Sequence, residues 1–195
     1  MAYASLATGL LLAGGTGSRF DPDGLRNKLL APLARGTTVA HQAAHQLLLI
    51  VPNVIAVVRP GSETLARALN EAGCSVVFAA DATRGMGASL AAGVAASDDA
   101  ETWLVALADM PCIEASTIEA VARAVDGGAS LVAPYYRGQR GHPVGFGLEH
   151  RAALLALDGD EGARALIAAH PITRIDVDDP GILRDVDTPD DLHGL

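Results

Sequence analysis

Apolar residues in this chain cluster into short runs, separated by longer stretches where they recur every three or four positions. Leu6–Leu12, Val54–Val58, Ser75–Ala79 and Trp103–Leu107 are the short runs. Runs of this kind mark strands buried on both faces. The stretches near Val39–Ile50, Glu63–Ala72, Gly87–Ala96 and Ser116–Val125 carry the helical period. Farther on, Ser130–Pro134 and Pro143–Phe146 read as strands, and Glu149–Leu157 and Glu161–Ala169 as helices. Ile172–Val177 and Leu183–Val186 read as extended, and Pro189–Leu192 opens a last short helix. Strands alternating with helices predict a doubly wound α/β fold: a mostly parallel, Rossmann-like sheet with helices on both faces. No linker or repeat divides residues 1–195, which read as a single domain. Ligands of such folds bind beyond the carboxyl ends of the strands. The loops after Leu12, Val58, Ala79 and Leu107 are therefore where chemistry is sought.

Half of the 195 residues are hydrophobic and only 19% are charged, which excludes a disordered chain. The net charge of −9 argues against nucleic acid or an anionic membrane as main partner. An anionic small molecule stays compatible if local positive charge or a bound cation accompanies it. No basic residue precedes Arg19, so no targeting signal is expected, and the first apolar run, interrupted by Thr8 and Gly9, is too short to span a bilayer. Cys74 and Cys112 lack CxxC spacing, which argues against zinc and fits a reducing cytoplasm. His41 and His45 share a helix face, but no HExxH pattern accompanies them.

After the first strand comes Ala13-Gly14-Gly15-Thr16-Gly17-Ser18-Arg19. Its glycines let main-chain N–H groups gather into an anion-binding nest; a plain strand-to-helix turn is the alternative. Neither GxGxxG nor GxxxxGK[ST] is present. Lys28 is the only lysine among fourteen basic residues. A compact ammonium meets a phosphate oxygen as a point charge, which a planar guanidinium does less well. Asp109 ends the run Trp103–Ala108, so it either faces the ligand crevice or caps the next helix. Asp185 and Asp187 flank Val186, and in an extended segment both carboxylates share a face.

Leu12–Arg19 followed by Lys28 resembles the signature loop of MobA-like NTP transferases. Gly85-Met-Gly-Ala-Ser-Leu90, Ala108-Asp-Met-Pro111, Arg140-Gly-His-Pro-Val-Gly-Phe146 and Asp185-Val-Asp-Thr-Pro-Asp-Asp-Leu192 are similar, in order, to four further segments of that family. The His-Pro segment is closest to molybdenum cofactor cytidylyltransferases, whereas Gly14-Gly15 is closer to the guanylyl-transferring relatives.

The resemblance implies a nucleotidyltransferase fold and transfer of CMP from CTP to the phosphate of molybdopterin, with Mg²⁺. GTP on the same acceptor, or a sugar or alditol phosphate as acceptor, are the alternatives, with a non-catalytic nucleotide-binding module behind them. It implies Arg19, Lys28 and Asp109 as catalytic, and Asp109 with Asp187 as the metal ligands. Leu12, Ala13, Gly14, Gly15, Gly17, Ser18, Arg19, Lys28, Asp81, Gly85 and Ser89 would bind the nucleotide. Arg140, His142 and Asp185 would lie on the acceptor side. Residues of about 1–110 would form the nucleotide-binding part and about 111–195 the acceptor-binding part. A molybdoenzyme or its maturation factor would receive the product. The stretch Gly159-Asp-Glu-Gly-Ala-Arg164 also matches the family, with no role read from it.

Overall fold

Every residue of β1 (Thr8–Ala13) and β2 (Val54–Val58) is buried, as is the middle of β4 (Thr102–Leu107). These three apolar runs form the centre of the sheet because neither of their faces meets water. The computed structural model describes residues 3–195 except 16, 18, 22, 24, 25, 35, 82, 83 and 194. β1 pairs in parallel with β2 on one side and β4 on the other, and β3 (Ser75–Phe78) lies parallel beyond β2.

The period-2 alternation divides the core into two layers. Leu11, Ala13, Ala56, Val58 and Leu104 face α1 (Val39–Leu48), α2 (Glu63–Glu71) and α4 (Ala115–Asp126). Leu10, Leu12, Val57, Trp103 and Val105 face α3 (Met86–Ala95), α5 (Arg151–Leu155) and α6 (Arg164–Ala168). The expected helices on both faces are thus present. Trp103, fully buried, still satisfies its indole N–H by donating to Ser97 Oγ at 2.8 Å.

The far half of the sheet is mixed rather than parallel. β5 (Leu131–Tyr136) runs parallel to the central strands, but β7 (Val144–Gly147) is antiparallel to both β4 and β5. β6 (Gln139–Arg140), which the sequence reading missed, is antiparallel to β5. Val132 pairs with Gly145 and Thr173, and Tyr135 with Arg140 and Asp176, so β6 and β7 return along one edge of β5. β8 (Thr173–Asp176) occupies the other edge. A two-residue hairpin turn, Arg137-Gly138, permits this reversal, whereas a parallel return would need a long crossover. Leu183–Val186 also departs from expectation. Pro180–Leu183 forms a 3-10 turn, and the chain after it joins no strand. Among the described residues, no helix is long and apolar enough to cross a membrane.

Candidate active site

The carboxyl ends of β1, β2 and β4 open into a cavity of about 580 Å³. The loop after β1 forms its floor. The Gly17 carbonyl accepts the N–H groups of Phe20 and Asp21, at 2.9 and 3.1 Å, closing a tight turn with Gly17 at φ 65°. Phe20 is buried and anchors that turn in the core. A 3-10 turn over Lys28–Leu30 follows, with Asn27 Oδ1 accepting the N–H of Leu29 at 2.9 Å. Buried Leu29 pins this turn, so the Lys28 side chain runs past Gly17 into the cavity despite the long connection from 21 to 27.

Lys28 Nζ lies 2.7 Å from Asp109 Oδ2 and 3.1 Å from Asp187 Oδ1. Arg19 reaches the other Asp187 oxygen at 2.6 Å. The lysine therefore bridges the two carboxylates expected to hold a metal. Desolvation alone would push its ammonium down. The charge and hydrogen bond of Asp109, with those of Asp187, outweigh that and hold it above its ordinary value.

Asp185 and Asp187 project from either side of buried Val186, and both meet Asp109. One oxygen from each of the three lies within 4.8 Å of the others. Desolvation and the Asp187 charge raise the Asp185 carboxyl above the usual carboxylate range. Asp191 fixes the segment. Its Oδ2 accepts the N–H of Asp187 at 3.0 Å, the N–H of Thr188 at 2.6 Å and the Thr188 hydroxyl at 2.8 Å. Asp109 does not cap α4; the buried Asp179 carboxylate serves that end instead, taking the Glu114 N–H and the Thr117 hydroxyl. Asp109 Oδ1 is buried with no hydrogen-bond partner among the described residues. An orphaned carboxylate oxygen beside two further carboxylates fits a divalent cation.

Leu12, Gly14, Gly15, Gly17, Arg19, Lys28, Gly85, Ser89, Asp109, Asp185 and Asp187 all line this cavity. Ala13 lies beneath it, buried in the core. Asp81 does not line it; its carboxylate pairs with Arg84 at 3.5 Å on the surface. Ser18 lies outside the described residues. Arg140 and His142 line a second cavity of about 260 Å³, which shares Leu12, Met86 and Leu107 with the first. Burial pushes the His142 imidazole below its ordinary value. Asp185, expected with Arg140 and His142, sits in the first cavity instead.

Sequence reading missed Arg59 and Asp160, which also line the first cavity. Arg59 follows directly on β2, so the strand-end rule could have found it. Asp160 lies in the stretch Gly159–Arg164 that matches the family, but no role was read from it; it arrives on a strap from the far half of the chain. The Gly159 carbonyl accepts the N–H of Gly87 at 2.8 Å, and Arg84 pairs with Asp158. The strap thus crosses the start of α3. Asp160 borders the first cavity, while Glu161, Ala163 and Arg164 border the second.

Comparison with known proteins places this geometry. A family model described as the MobA-like NTP transferase domain matches residues 9–175. The chain is 31% identical to nicotine blue oxidoreductase of Paenarthrobacter nicotinovorans, over 96% of this chain and 95% of that protein. Among solved structures it resembles Rv0371c of Mycobacterium tuberculosis H37Rv, with TM-score 0.80 and 27% identity over 98% of this chain and 96% of that one. A manganese complex of Rv0371c superimposes with TM-score 0.77 and 24% identity, covering 97% of this chain and 99% of that one. A glycine-lined cavity at the strand ends, a lysine and arginine on converging carboxylates, and a family match across most of the sequence agree: the chain belongs to the MobA-like NTP transferases and is a nucleotidyltransferase.

Proposed function

We propose that the chain transfers CMP from CTP to the terminal phosphate of molybdopterin, with Mg²⁺, releasing pyrophosphate. The convergence of Asp109, Asp185 and Asp187 with Lys28 and Arg19 at the mouth of the glycine loop carries this reading. An acceptor phosphate oxygen bonds to the α-phosphorus while the bond to the β-phosphate bridging oxygen breaks. The electron pair of that bond leaves with pyrophosphate. The acceptor phosphate is already ionised, so little general-base help is needed, and positioning with charge stabilisation supplies the rate.

In this reading Asp109 and Asp187, with Asp185 beside them, hold Mg²⁺. When bound, the ion neutralises triphosphate charge and polarises the phosphorus. Arg19 and Lys28 would stabilise the triphosphate and the leaving group. Gly14, Gly15 and Gly17 offer backbone N–H groups to the phosphates, and Gly85 and Ser89 meet the nucleoside. The second cavity, with Arg140 and His142, takes the acceptor. Residues of about 1–110 mainly hold the nucleotide and about 111–195 the acceptor, Asp185 and Asp187 crossing over to the metal. The manganese complex of Rv0371c supports a divalent ion. A cytoplasmic molybdoenzyme or its maturation factor would take the product.

Two other readings have a specific observation behind them. Gly14-Gly15 favours GMP transfer from GTP to the same acceptor. The activity for which the Paenarthrobacter relative is named favours an oxidoreductase working in the same cavity. The test is incubation with Mg²⁺, each of the four NTPs and molybdenum cofactor, following pyrophosphate. Release with CTP supports the proposal, and release with GTP alone moves the assignment to guanylyl transfer. No release with any NTP overturns the proposed transfer.

A further inference from the structure

Among the cations that line the first cavity, Arg59 is the one the reading above leaves without work. It makes no salt bridge or side-chain hydrogen bond among the described residues; Arg67, Arg137, Arg140 and Arg164 make none either, but of these five only Arg59 lines the first cavity, where Arg19 and Lys28 are both paired with carboxylates. A half-buried guanidinium with no counterion, lining a cavity in an acidic protein, is arranged for a ligand rather than for stability.

The sheet register says which part of a nucleotide it meets. Ala13 pairs with Val58 and Leu12 with Leu107, so continuing each strand by a step or two sets Arg59 and Asp109 on opposite sides of Gly14. Two inter-strand spacings separate them, about 10 Å at the backbone. Asp109, Lys28 and Arg19 mark the phosphate end. Arg59 stands away from it, on the side of β2 and of Gly85, where a nucleoside with its phosphates on the glycine loop must put its base. Pro60 restricts the backbone at Arg59 and limits how far it can swing.

We infer that Arg59 reads the nucleobase, as a fork that selects bases presenting two adjacent acceptors. Cytosine offers O2 beside N3, and guanine offers O6 beside N7. Adenine sets its amino donor beside both N1 and N7, and uracil separates its two carbonyls by an N–H. A bidentate guanidinium therefore accepts C and G and disfavours A and U. This rests on the proposed placement of an NTP in the cavity and names a residue that would set its base, with no demand on the acceptor.

The test is equilibrium binding of CTP, GTP, ATP and UTP, with Mg²⁺ and no acceptor, to the wild type, Arg59→Met, Arg59→Lys and the control Arg67→Met. Circular dichroism checks that each variant is folded. The wild type should hold CTP or GTP at least about fivefold tighter than ATP and UTP. Arg59→Met should lose that margin while ATP and UTP binding stays within about twofold, and Arg67→Met should change nothing. Arg59→Lys should not restore the margin, because an ammonium lacks the fork. Uniform weakening of all four NTPs in Arg59→Met would make this a phosphate contact and overturn the inference, as would full rescue by Lys. Failure of the wild type to bind any NTP overturns the reading of the cavity itself. Selective binding without pyrophosphate release in the transfer assay removes only the transfer.

Discussion

Val186 donates its backbone N–H to the carbonyl of Asp109 at 2.8 Å. That single bond joins the end of β4 to a segment near the C-terminus and sets Asp185 and Asp187 on either side of Asp109. Local sequence aims each carboxylate, and this cross-link brings them into one cluster. A backbone hydrogen bond therefore helps to assemble the acidic site.

Lys28 is the internal counter-ion of that cluster, its side chain only 8% exposed. From sequence, Lys28→Ala and Asp109→Ala are expected to reduce turnover far more than stability. The ion pairs revise this for the lysine. Lys28→Met leaves Asp109 without a counter-charge and Asp187 with Arg19 alone, and should cost about 2–4 kcal/mol. Thermal melts should show the loss, and added Mg²⁺ or Mn²⁺ should recover part of it. Asp109→Asn leaves Lys28 paired with Asp187, so its effect should fall on pyrophosphate release, with a smaller shift in melting.

The strap over α3 depends on glycine. A Cβ at Gly87 would sit 2.6 Å from the Asp158 carbonyl oxygen, and one at Gly85 would sit 2.4 Å from that of Gly159. Gly85 also has φ 121°, which side-chain-bearing residues rarely adopt. Gly87→Ala should push the strap off α3 at a cost of about 1–3 kcal/mol. Hydrogen exchange should rise at residues 157–162 and stay unchanged in β1 and β4. Unaltered exchange there would show that the strap is held by other contacts.

Asp179 carries a buried structural load. Its carboxylate accepts from the Glu114 N–H at 2.9 Å, the Thr117 hydroxyl at 2.8 Å and the Gly181 N–H at 2.8 Å. Asp179→Ala strands these donors and should cost about 2–4 kcal/mol in urea unfolding. The same change loosens the turn that leads to Asp185, so metal-dependent turnover should fall with it. Asp178→Ala, next door in sequence, is the comparison and should be nearly silent.

Stability should also depend on pH through His150. Its ring is buried, shares a hydrogen bond of 2.9 Å with Ser130 and stacks edge-on to His170 at 4.8 Å. Burial, and then the neighbouring His170, hold its pKa below the ordinary 6.5. The unfolded chain then binds more protons than the native one as pH falls through 6.5, so unfolding free energy drops on acidification. Urea melts at about pH 7.5 and 5.5 should show this loss for the wild type and less of it for His150→Gln.

Much of this architecture was legible from residue patterns. Val54–Val58 was placed to the residue, because an apolar run buried on both faces admits few other structures. Asp109 was found because strand ends face the crevice. The mostly parallel sheet was anticipated, but which strands run against it was not, since β6 and β7 depend on a short hairpin turn whose effect on direction leaves no periodic trace. Lys28 was tied to phosphate from its chemistry. Its pairing with Asp109 and Asp187 depends on two segments distant in sequence, which no local pattern encodes. Asp160 lay in a stretch that matched the family, but its place beside the cavity was not legible, and the Asp81 carboxylate pairs with Arg84.

The returning strand has one further effect. Because β7 runs opposite to β4, its beginning meets the same rim where the central strands finish, and His142 arrives beside Leu107. A wholly parallel sheet would send that connection to the opposite rim. Reversing one strand gathers both hollows on a single edge of the molecule, so two reactants can approach side by side without either crossing the protein.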